Sequence, residues 1–323
     1  MGTIWPEIPR RQFVTVLAKG AVTLGIGSVG NRAHAAAAKR KMLLSSACGR
    51  IGVRVRLAEA VELAARYGFE AVSPTTELGG LSDQELRSLL SSMKAKNIVF
   101  GAAALPVDFR GARQKFDAGM KRLPALAAAF QKAGVRRIGT YIRPGHDQLT
   151  YRRNFRQHVH RLRQVATVLE DAGLRFGLEY VGPKTSWTRQ RFPFIHTMVE
   201  TKELIAEIDR PNVGFVLDSW HWYTAGETAE DLLTLTNEDI VAVDLNDAPA
   251  GIPRDEQVDS HRELPCATGV IDLGTFLDCL NRLGYDGPVR AEPFNAALRA
   301  LPKEKAVAAT AAAMKKALAL IQP

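Results

Sequence analysis

Short apolar runs alternate with longer amphipathic segments along this chain from Lys41 onward. Short apolar runs bounded by glycine or polar residues predict buried strands, and apolar residues spaced three and four apart predict helices. The predicted strands are Met42–Ala47, Glu70–Ser73, Ile98–Ala103, Arg137–Tyr141, Arg175–Tyr180, Val213–Leu217, Ile240–Leu245 and Pro288–Glu292. The predicted helices are Leu57–Tyr67, Asp83–Lys94, Arg113–Ala133, Asn154–Asp171, Thr197–Ile208, Ala229–Leu235, Leu273–Leu283 and Lys303–Ile321.

This alternation of strands and helices indicates βαβ units and a parallel sheet. Gly68, Gly134, Gly173 and Gly284 each follow a predicted helix and precede an apolar residue, which is typical of a left-handed helix cap that leads into a strand. An open doubly wound sheet is the alternative, but such a sheet usually carries a glycine-rich phosphate loop after its first strand, and 47–52 matches that loop poorly. We therefore predict an α/β fold with a single (β/α)8 barrel over residues 36–323.

Residues 1–35 are predicted to be a cleavable signal segment and not part of the barrel. Arg10 and Arg11 precede Phe13 and a modestly apolar run, and Ala33-His34-Ala35 resembles a small-residue cleavage site. These are the parts of a secretory signal, and the arginine pair indicates the twin-arginine route. We expect cleavage after Ala35 and a periplasmic or secreted protein. A loose amphipathic extension is the alternative interpretation.

Composition and charge argue against a membrane protein and against a nucleic-acid-binding protein. The chain has 323 residues, of which 46% are hydrophobic and 24% charged, a balance typical of a globular domain. No apolar run reaches the roughly 18 residues that a membrane span needs. The net charge is +9, but residues 1–35 contribute +3 of it and the remainder is spread over several helices, so we predict a basic solvated surface and no nucleic-acid partner. The three cysteines show no pairing motif and predict neither a disulfide framework nor structural zinc.

Carboxylates close four consecutive predicted strands in the second half of the chain: Glu179, Asp218, Asp244 and Glu292. Because the active groups of a barrel come from the C-terminal ends of its strands, we expect these side chains to meet at one rim. Each alone is commonly a helix cap or the partner of an arginine. Four ionised carboxylates in a partly dry site repel one another unless a cation neutralises them. The pattern predicts a divalent metal, most simply Mn²⁺, with Mg²⁺, Co²⁺ and Zn²⁺ as alternatives. A network of salt bridges is the competing explanation.

The segments around these acids resemble the xylose isomerase-like superfamily, in particular its sugar phosphate isomerase/epimerase members, which include inosose isomerases, inosose dehydratases and ketose 3-epimerases. The segments that carry the resemblance are Gly177–Thr185, Val213–Tyr223, Val243–Pro249, Arg262–Asp272 and Gly284–Phe294. The resemblance extends from about Lys41 to the end of the chain. It implies a metal-dependent TIM-barrel enzyme, and it leaves both a monomer and a homodimer open.

The resemblance also implies roles for particular residues. Glu179, Asp218 and Glu292 match the metal-binding carboxylates of the family. The fourth ligand in the family is usually a histidine, where this chain has Asp244, so direct ligation by Asp244 stays open. His221, three residues after Asp218, and Arg262 match residues that contact substrate oxygens near the metal.

Glu179 and Glu292 are the predicted acid/base pair, in addition to their expected role as metal ligands. Removal of a proton next to a sugar carbonyl gives an enediolate, which a divalent ion stabilises. Return of the proton to the same carbon from the other side gives epimerisation, and return to the adjacent carbon gives isomerisation. Loss of a β-leaving group gives elimination. The sequence does not choose among these three outcomes.

Three further residues are candidate substrate contacts, each with a simpler alternative. Lys184 follows the fifth predicted strand, where a solvated lysine is the alternative. His146 follows the fourth predicted strand. Trp220 follows Asp218 and could stack on a sugar, although aromatic core packing is the alternative.

These features predict a divalent-metal-dependent isomerase or epimerase that acts on a sugar, keto-sugar or cyclitol. The only predicted partner is this small sugar or polyol, and export favours an unphosphorylated one. A keto-glycoside or inosose eliminase or dehydratase that uses the same site is one alternative, and a non-catalytic sugar-binding barrel is another. A phosphodiester-cleaving relative is disfavoured because few histidines lie near the predicted rim.

Overall fold

The computed structural model describes residues 40–321. The predicted signal segment and its cleavage site lie outside the described residues. The strands are β1 (Leu43–Ser46), β2 (Ala71–Val72), β3 (Val99–Phe100), β4 (Ala102–Ala104), β5 (Arg137–Tyr141), β6 (Gly145–His146), β7 (Arg175–Glu179), β8 (Phe192–Pro193), β9 (Val213–Asp218), β10 (Ile240–Leu245) and β11 (Pro288–Ala291). The α-helices are α1 (Leu57–Tyr67), α2 (Asp83–Ala95), α3 (Arg113–Ala133), α4 (Tyr151–Asp171), α5 (Lys184–Trp187), α6 (Met198–Ile208), α7 (Ser219–Ala225), α8 (Ala229–Leu232), α9 (Leu273–Arg282), α10 (Ala296–Arg299) and α11 (Lys303–Leu318).

Nine strands form one parallel sheet that nearly closes into a barrel. Their order is β3-β2-β1-β11-β10-β9-β7-β5-β4, and every pair along it is parallel. The strands at the two ends of this order, β3 and β4, are separated in the chain only by Gly101. A side chain at Gly101 would meet the Ser45 Oγ at 2.6 Å, so β1 lies close against this break. The single predicted strand Ile98–Ala103 is therefore two short strands, and the predicted TIM barrel is confirmed.

Most predicted elements lie within one or two residues of their observed bounds. The helices α1 and α3 and the strands β5 and β10 have the predicted bounds. The four glycines that were predicted to cap helices, Gly68, Gly134, Gly173 and Gly284, all have positive φ angles between 67° and 82°. The sequence did not reveal the short helices α5, α7 and α10, which follow β7, β9 and the end of β11, or the small antiparallel ribbon of β6 and β8.

The core fills the space between the sheet and the surrounding helices. All residues of β9 and β10 are buried, as expected for central strands of a parallel sheet that is covered by helices. Inside the barrel the small residues Ala102, Val216 and Ala242 form a separate apolar cluster. The three cysteines are free, as predicted. Among residues 40–321, no helix combines the length and apolar character that a membrane crossing requires.

Candidate active site

The C-terminal ends of β7, β9, β10 and β11 bring the four predicted carboxylates together. Glu179 ends β7, Asp218 ends β9, Asp244 lies in β10, and Glu292 directly follows β11. Asp218 and Asp244 are paired in register across the two neighbouring strands. All four side chains are buried, with 0 to 6% of each residue exposed. The expected convergence at one end of the barrel is therefore present.

A cavity of about 610 Å³ lies over this cluster and is large enough for a monosaccharide or a cyclitol. Its wall is formed by Arg50, Tyr141, Arg143, Pro144, Asp147, Glu179, Val181, Ser186, Arg189, Gln190, His221, Asp259, Arg262, Glu292 and Phe294. Both predicted acid/base carboxylates, Glu179 and Glu292, belong to this wall. Residues from both halves of the chain meet there.

Among the four carboxylates of the cluster, Glu179 has the fewest partners that could balance its negative charge. Its Oε1 is buried and has no hydrogen-bond partner among residues 40–321. The one ion-pairing side chain near this oxygen among residues 40–321 is His221, whose Nε2 lies 3.9 Å away and which bears a charge only when protonated. Burial, together with the negative charges of Asp218 and Asp244, raises the pKa of Glu179 well above its usual value. A proton or a cation at this position relieves that penalty.

Asp218 is fully satisfied by hydrogen bonds. Its Oδ1 accepts from the backbone N–H of Trp220 and from Asn246 Nδ2, both at 2.8 Å, so it also caps α7. Its Oδ2 accepts from Arg262 Nη1 at 2.7 Å. The local sequence explains this arrangement, since an aspartate at the junction of a strand and a helix readily accepts from the first turn of the helix.

Arg262 connects several acidic groups of the site. Besides Asp218, it donates to Asp259 Oδ1 at 2.7 Å, and its Nη1 lies 3.4 Å from Glu292 Oε2. Burial opposes its charge, but the carboxylates of Asp218 and Asp259 outweigh burial and raise the pKa of Arg262. Its guanidinium also lies 4.5 Å from the ring centroid of Phe294. Arg262 therefore stays charged and fixed at the wall of the cavity.

His221 lies between Arg262 and Glu179. Its Nδ1 faces the backbone N–H of Gly182 at 3.2 Å, and its Nε2 faces Arg262 Nη2 at 3.3 Å. Because both ring nitrogens face donors, a second ring proton is unfavourable, and burial lowers the pKa of His221. A neutral imidazole at this position can exchange hydrogen bonds with a substrate hydroxyl.

Asp244 is paired with an arginine that the sequence reasoning did not single out. Arg290 Nε and Nη2 donate to the two oxygens of Asp244 at 2.5 and 2.9 Å, and Arg290 Nη1 donates to the carbonyl oxygen of Ala102 at 3.1 Å. Burial disfavours the charge of Asp244, yet the charge and hydrogen bonds of Arg290 hold the pKa of this carboxyl below its usual value. The signal that could have revealed this pair is an arginine two residues before Glu292, at an inward-facing position of β11.

Arg50 is the second arginine that the sequence reasoning missed. It lies in the short 3₁₀ turn Cys48–Ile51 after β1 and forms an ion pair with Glu292 Oε1. Its position directly after a strand was the available signal, because that is where a barrel places residues of its active site.

Three predicted substrate contacts lie away from the cavity. Lys184 is half exposed and pairs with Asp255 at 2.9 Å. His146 Nδ1 accepts from the backbone N–H groups of Gln148 and Leu149. Trp220 is completely buried, with Arg262 5.4 Å from the centroid of its ring. None of the three belongs to the cavity wall among the described residues, so the geometry gives them no direct contact with a substrate there.

Two overlapping groups of side chains offer metal-ligand atoms that lie within 4.8 Å of one another. They are Glu179 with Asp218 and His221, and Glu179 with Asp244 and Glu292. The donors are mainly carboxylate oxygens, which suit a hard divalent cation. Glu179 belongs to both groups, and its unpartnered Oε1 is the donor atom that a cation would satisfy most directly.

The chain is similar in sequence to a known protein family and to several characterised enzymes. The family model described as "xylose isomerase-like TIM barrel" matches residues 61–317. Inosose isomerase from Bacillus subtilis is 29% identical over 150 residues, which are 45% of this chain and 49% of that protein. A 3-dehydroshikimate dehydratase from Pseudomonas aeruginosa is 32% identical over 143 residues, or 44% of this chain and 21% of that protein. A ketose 3-epimerase from Arthrobacter globiformis is 29% identical over 135 residues, or 42% of this chain and 40% of that protein. The chain thus spans half or less of the length of these curated relatives.

Solved structures are similar over more of the chain. A xylose isomerase domain protein from Alicyclobacillus acidocaldarius has a TM-score of 0.76 and 29% identity, and the match covers 86% of this chain and 99% of that one. The IOLI protein, solved with a bound zinc atom, has a TM-score of 0.71 and 21% identity, over 86% of this chain and 98% of that one. The second similarity concerns the fold alone.

Proposed function

The chain belongs to the xylose isomerase-like TIM barrel family, and on this premise we propose that it is an isomerase or epimerase of a sugar, keto-sugar or cyclitol. Relatives named inosose isomerase and ketose 3-epimerase support this substrate class. The proposed reaction is the transfer of a proton on a carbon next to a carbonyl group.

The observation that carries the proposal is the pair Glu179 and Glu292 in the wall of one cavity. One oxygen of each lies within 4.8 Å of the other, so the two carboxylates can serve one reacting carbon. Their surroundings differ. Glu292 forms ion pairs with two guanidinium groups, those of Arg50 and Arg262, whereas no arginine among residues 40–321 forms an ion pair with Glu179. Two carboxyl groups in unlike environments are what an acid/base pair requires.

The donor set at this centre fits a divalent metal, which we propose as the cofactor. The buried Glu179 Oε1 without a partner and the predominance of carboxylate oxygens support the fit. Glu179 would hold the ion together with Asp218 and His221, or with Asp244 and Glu292. The ion would supply positive charge to polarise the carbonyl group and stabilise an enediolate. The zinc in the structurally similar IOLI protein agrees with a divalent ion but does not identify it, and Mn²⁺ remains our first choice.

The remaining groups of the centre have distinct proposed tasks. Glu292, which pairs with Arg50 and Arg262, removes the proton next to the carbonyl, and Glu179 returns a proton. Arg262 and His221 contact substrate oxygens from one side of the cavity. Because all four groups are almost fully buried, their interactions with the substrate would be little weakened by water.

The test is a screen of unphosphorylated keto-sugars and inososes in deuterated water with added Mn²⁺, followed by NMR. The proposal expects deuterium at the carbon next to the carbonyl of at least one compound, together with its epimer or isomer. A product that has lost water would instead indicate a dehydratase, for which the similarity to 3-dehydroshikimate dehydratase provides support. Tight binding of a sugar without deuterium exchange would indicate a non-catalytic sugar-binding protein.

We further propose that the enzyme works outside the cytoplasm. The support is in the sequence alone, namely Arg10-Arg11 and the Ala33–Ala35 cleavage motif. Edman sequencing of the mature protein is expected to begin at Ala36. A mature protein that begins at Met1 would contradict export by this route.

A further inference from the structure

The entrance of the active-site cavity carries two arginines that the proposed reaction does not use. Arg143 lies between β5 and β6, and Arg189 lies between α5 and β8. Both belong to the cavity wall, and both are exposed. Neither side chain forms an ion pair or donates a hydrogen bond to any of residues 40–321. The donors of both guanidinium groups are therefore available to a bound molecule.

The antiparallel ribbon of β6 and β8 holds the two segments that carry these arginines together. Phe194 donates its backbone N–H to the carbonyl oxygen of Pro144 at 2.8 Å. A side chain at Gly145 would meet Gln190 Oε1 at 2.8 Å, so the residue after Arg189 lies directly against β6. The backbone on which the two arginines are mounted is therefore one connected part of the cavity rim.

The charges at the floor of the cavity, where the carboxylate cluster lies, are balanced without these two arginines. Five carboxylates and three guanidinium groups lie around the cluster, namely Glu179, Asp218, Asp244, Asp259 and Glu292 with Arg50, Arg262 and Arg290. When all of these groups are ionised, two negative charges are left over, which is the charge that the proposed divalent ion neutralises. The floor then has no negative charge left to balance an arginine at the entrance.

The entrance, in contrast, keeps an excess of positive charge. Among the described residues, Asp147 is the remaining acidic side chain of the wall, and it accepts from the backbone N–H of Arg191 at 3.1 Å. Two guanidinium groups and one carboxylate leave one positive charge in a concave surface, where the surrounding protein strengthens the electric field. Guanidinium groups bind carboxylate and phosphate oxygens through paired N–H donors. The remaining charge therefore matches a substrate that carries an oxyanion.

We propose that Arg143 and Arg189 form an oxyanion subsite, so that the substrate is a keto-sugar or cyclitol that carries a carboxylate or phosphate group. This inference rests on the proposed function, because it concerns the substrate of that same cavity. The oxyanion lies at the entrance, and the carbonyl group lies over Glu179 and Glu292 at the floor. A cavity of about 610 Å³ accommodates a six-carbon chain in this orientation. The two arginines determine substrate specificity and take no part in proton transfer.

The test compares the binding of matched ligands that differ only in one terminal group. D-fructose, D-fructuronate and D-fructose 6-phosphate form one set, and D-tagatose, D-tagaturonate and D-tagatose 6-phosphate form a second. Their affinities are measured by isothermal titration at low ionic strength with saturating Mn²⁺. The proposal expects at least one anionic ligand to bind about tenfold or more tightly than its neutral counterpart. Whether the uronate or the phosphate binds more tightly identifies the oxyanion.

The double variant R143Q/R189Q removes both guanidinium groups, and R152Q/R156Q is its matched control. The control removes two exposed arginines of α4 that line a groove outside the active-site cavity, so it changes the net charge of the protein equally. We expect R143Q/R189Q to lose at least about tenfold in affinity for the anionic ligand and less than twofold for the neutral one. The control should bind both ligands as the wild type does.

A second variant, R143K/R189K, keeps the two positive charges and removes only the paired N–H geometry. Its affinity for the anionic ligand should stay within about threefold of the wild type, which a merely structural role of the arginines would not predict. Equal affinities of the neutral and anionic ligands for the wild type, or binding of none of them, would overturn the proposal. A preference for the anion that persists in R143Q/R189Q would also overturn it, because other groups would then hold the oxyanion.

The outcomes separate this inference from the proposed function. Tighter binding of an anionic ligand that depends on both arginines, without deuterium exchange in that ligand, would leave the subsite intact and contradict only the proposed activity. Deuterium exchange in a neutral keto-sugar, unchanged in R143Q/R189Q and without tighter binding of the corresponding uronate or phosphate, would support the activity and overturn the subsite.

Discussion

The two halves of the barrel end their strands differently. Strands β1, β2, β4 and β5 end in the neutral residues Ser46, Val72, Ala104 and Tyr141, whereas the last residues of β7 and β9, a residue within β10 and the residue after β11 are acids. The first half contributes Arg50, Tyr141 and Arg143 to the cavity. The comparison indicates that the second half carries the proton-transfer carboxylates together with the arginines Arg262 and Arg290 that pair with acids of the cluster, while the first half adds Arg50 beside Glu292 and shapes the entrance.

The largest expected effect comes from removing an acid of the second half. Glu179→Gln keeps the shape of the side chain but cannot exchange a proton, so we expect kcat to fall about 10³-fold. The control is Asp108→Asn in the loop after β4, where the carboxylate accepts from the backbone N–H groups of Arg110 and Gly111. Its kcat should stay within about twofold of wild type. Similar losses in the two variants would contradict the division between the halves.

A moderate effect on KM is expected from a substitution at the cavity entrance, in the first half of the barrel. Arg143 is exposed, lines the cavity and has no ion-pair partner among the described residues. Arg143→Ala should raise KM about three- to tenfold through the loss of one hydrogen bond to the substrate, with kcat unchanged. Lys184→Ala is the matched control, because Lys184 pairs with Asp255 outside the cavity. A larger effect on KM at Lys184 than at Arg143 would reverse our assignment of the entrance.

The smallest effect concerns stability in the second half, away from the proton-transfer pair. Glu227 accepts from Tyr180 Oη and from the backbone N–H of Met198, and burial raises its pKa to about 7. Because the folded state then keeps a proton that the unfolded state releases, the free energy of unfolding should decrease as pH rises from about 4.5 to about 7. The slope from this group is at most about 1.4 kcal/mol per pH unit.

Urea unfolding at a series of pH values measures this slope. Glu227→Gln removes the titrating group and keeps a hydrogen-bond acceptor, so its stability should vary less between pH 5 and pH 7 than that of the wild type. An identical pH dependence in the two proteins would show that Glu227 does not carry this linkage.

The barrel could be predicted from the sequence because its signals are local. Periodicity placed α1, α3, β5 and β10 with their observed bounds, and the capping glycines marked where helices end. The break at Gly101 could not be predicted, because it depends on the close approach of Ser45 from another strand. Short helices such as α7 were missed because a few residues carry too little periodicity.

The acidic half of the site was also predictable, whereas its cationic half was not. A carboxylate at the end of an apolar strand is easy to recognise in the sequence, and four such strands in succession predict that the four side chains meet at one end of the barrel. Arg50 and Arg290 do not stand out among 43 basic residues. Their roles follow from contacts with Glu292 and Asp244, which only the folded chain brings near. For the same reason, the sequence could not show that Trp220 is buried away from the cavity.

The most direct test of the acid/base account is the rate of deuterium incorporation into a keto-sugar substrate by Glu292→Gln, compared with wild type under saturating Mn²⁺. The account predicts that wild type places deuterium on the carbon next to the carbonyl and that the variant, although folded and able to bind the sugar, does so at least about 10³ times more slowly. Exchange at the wild-type rate in Glu292→Gln would contradict the account.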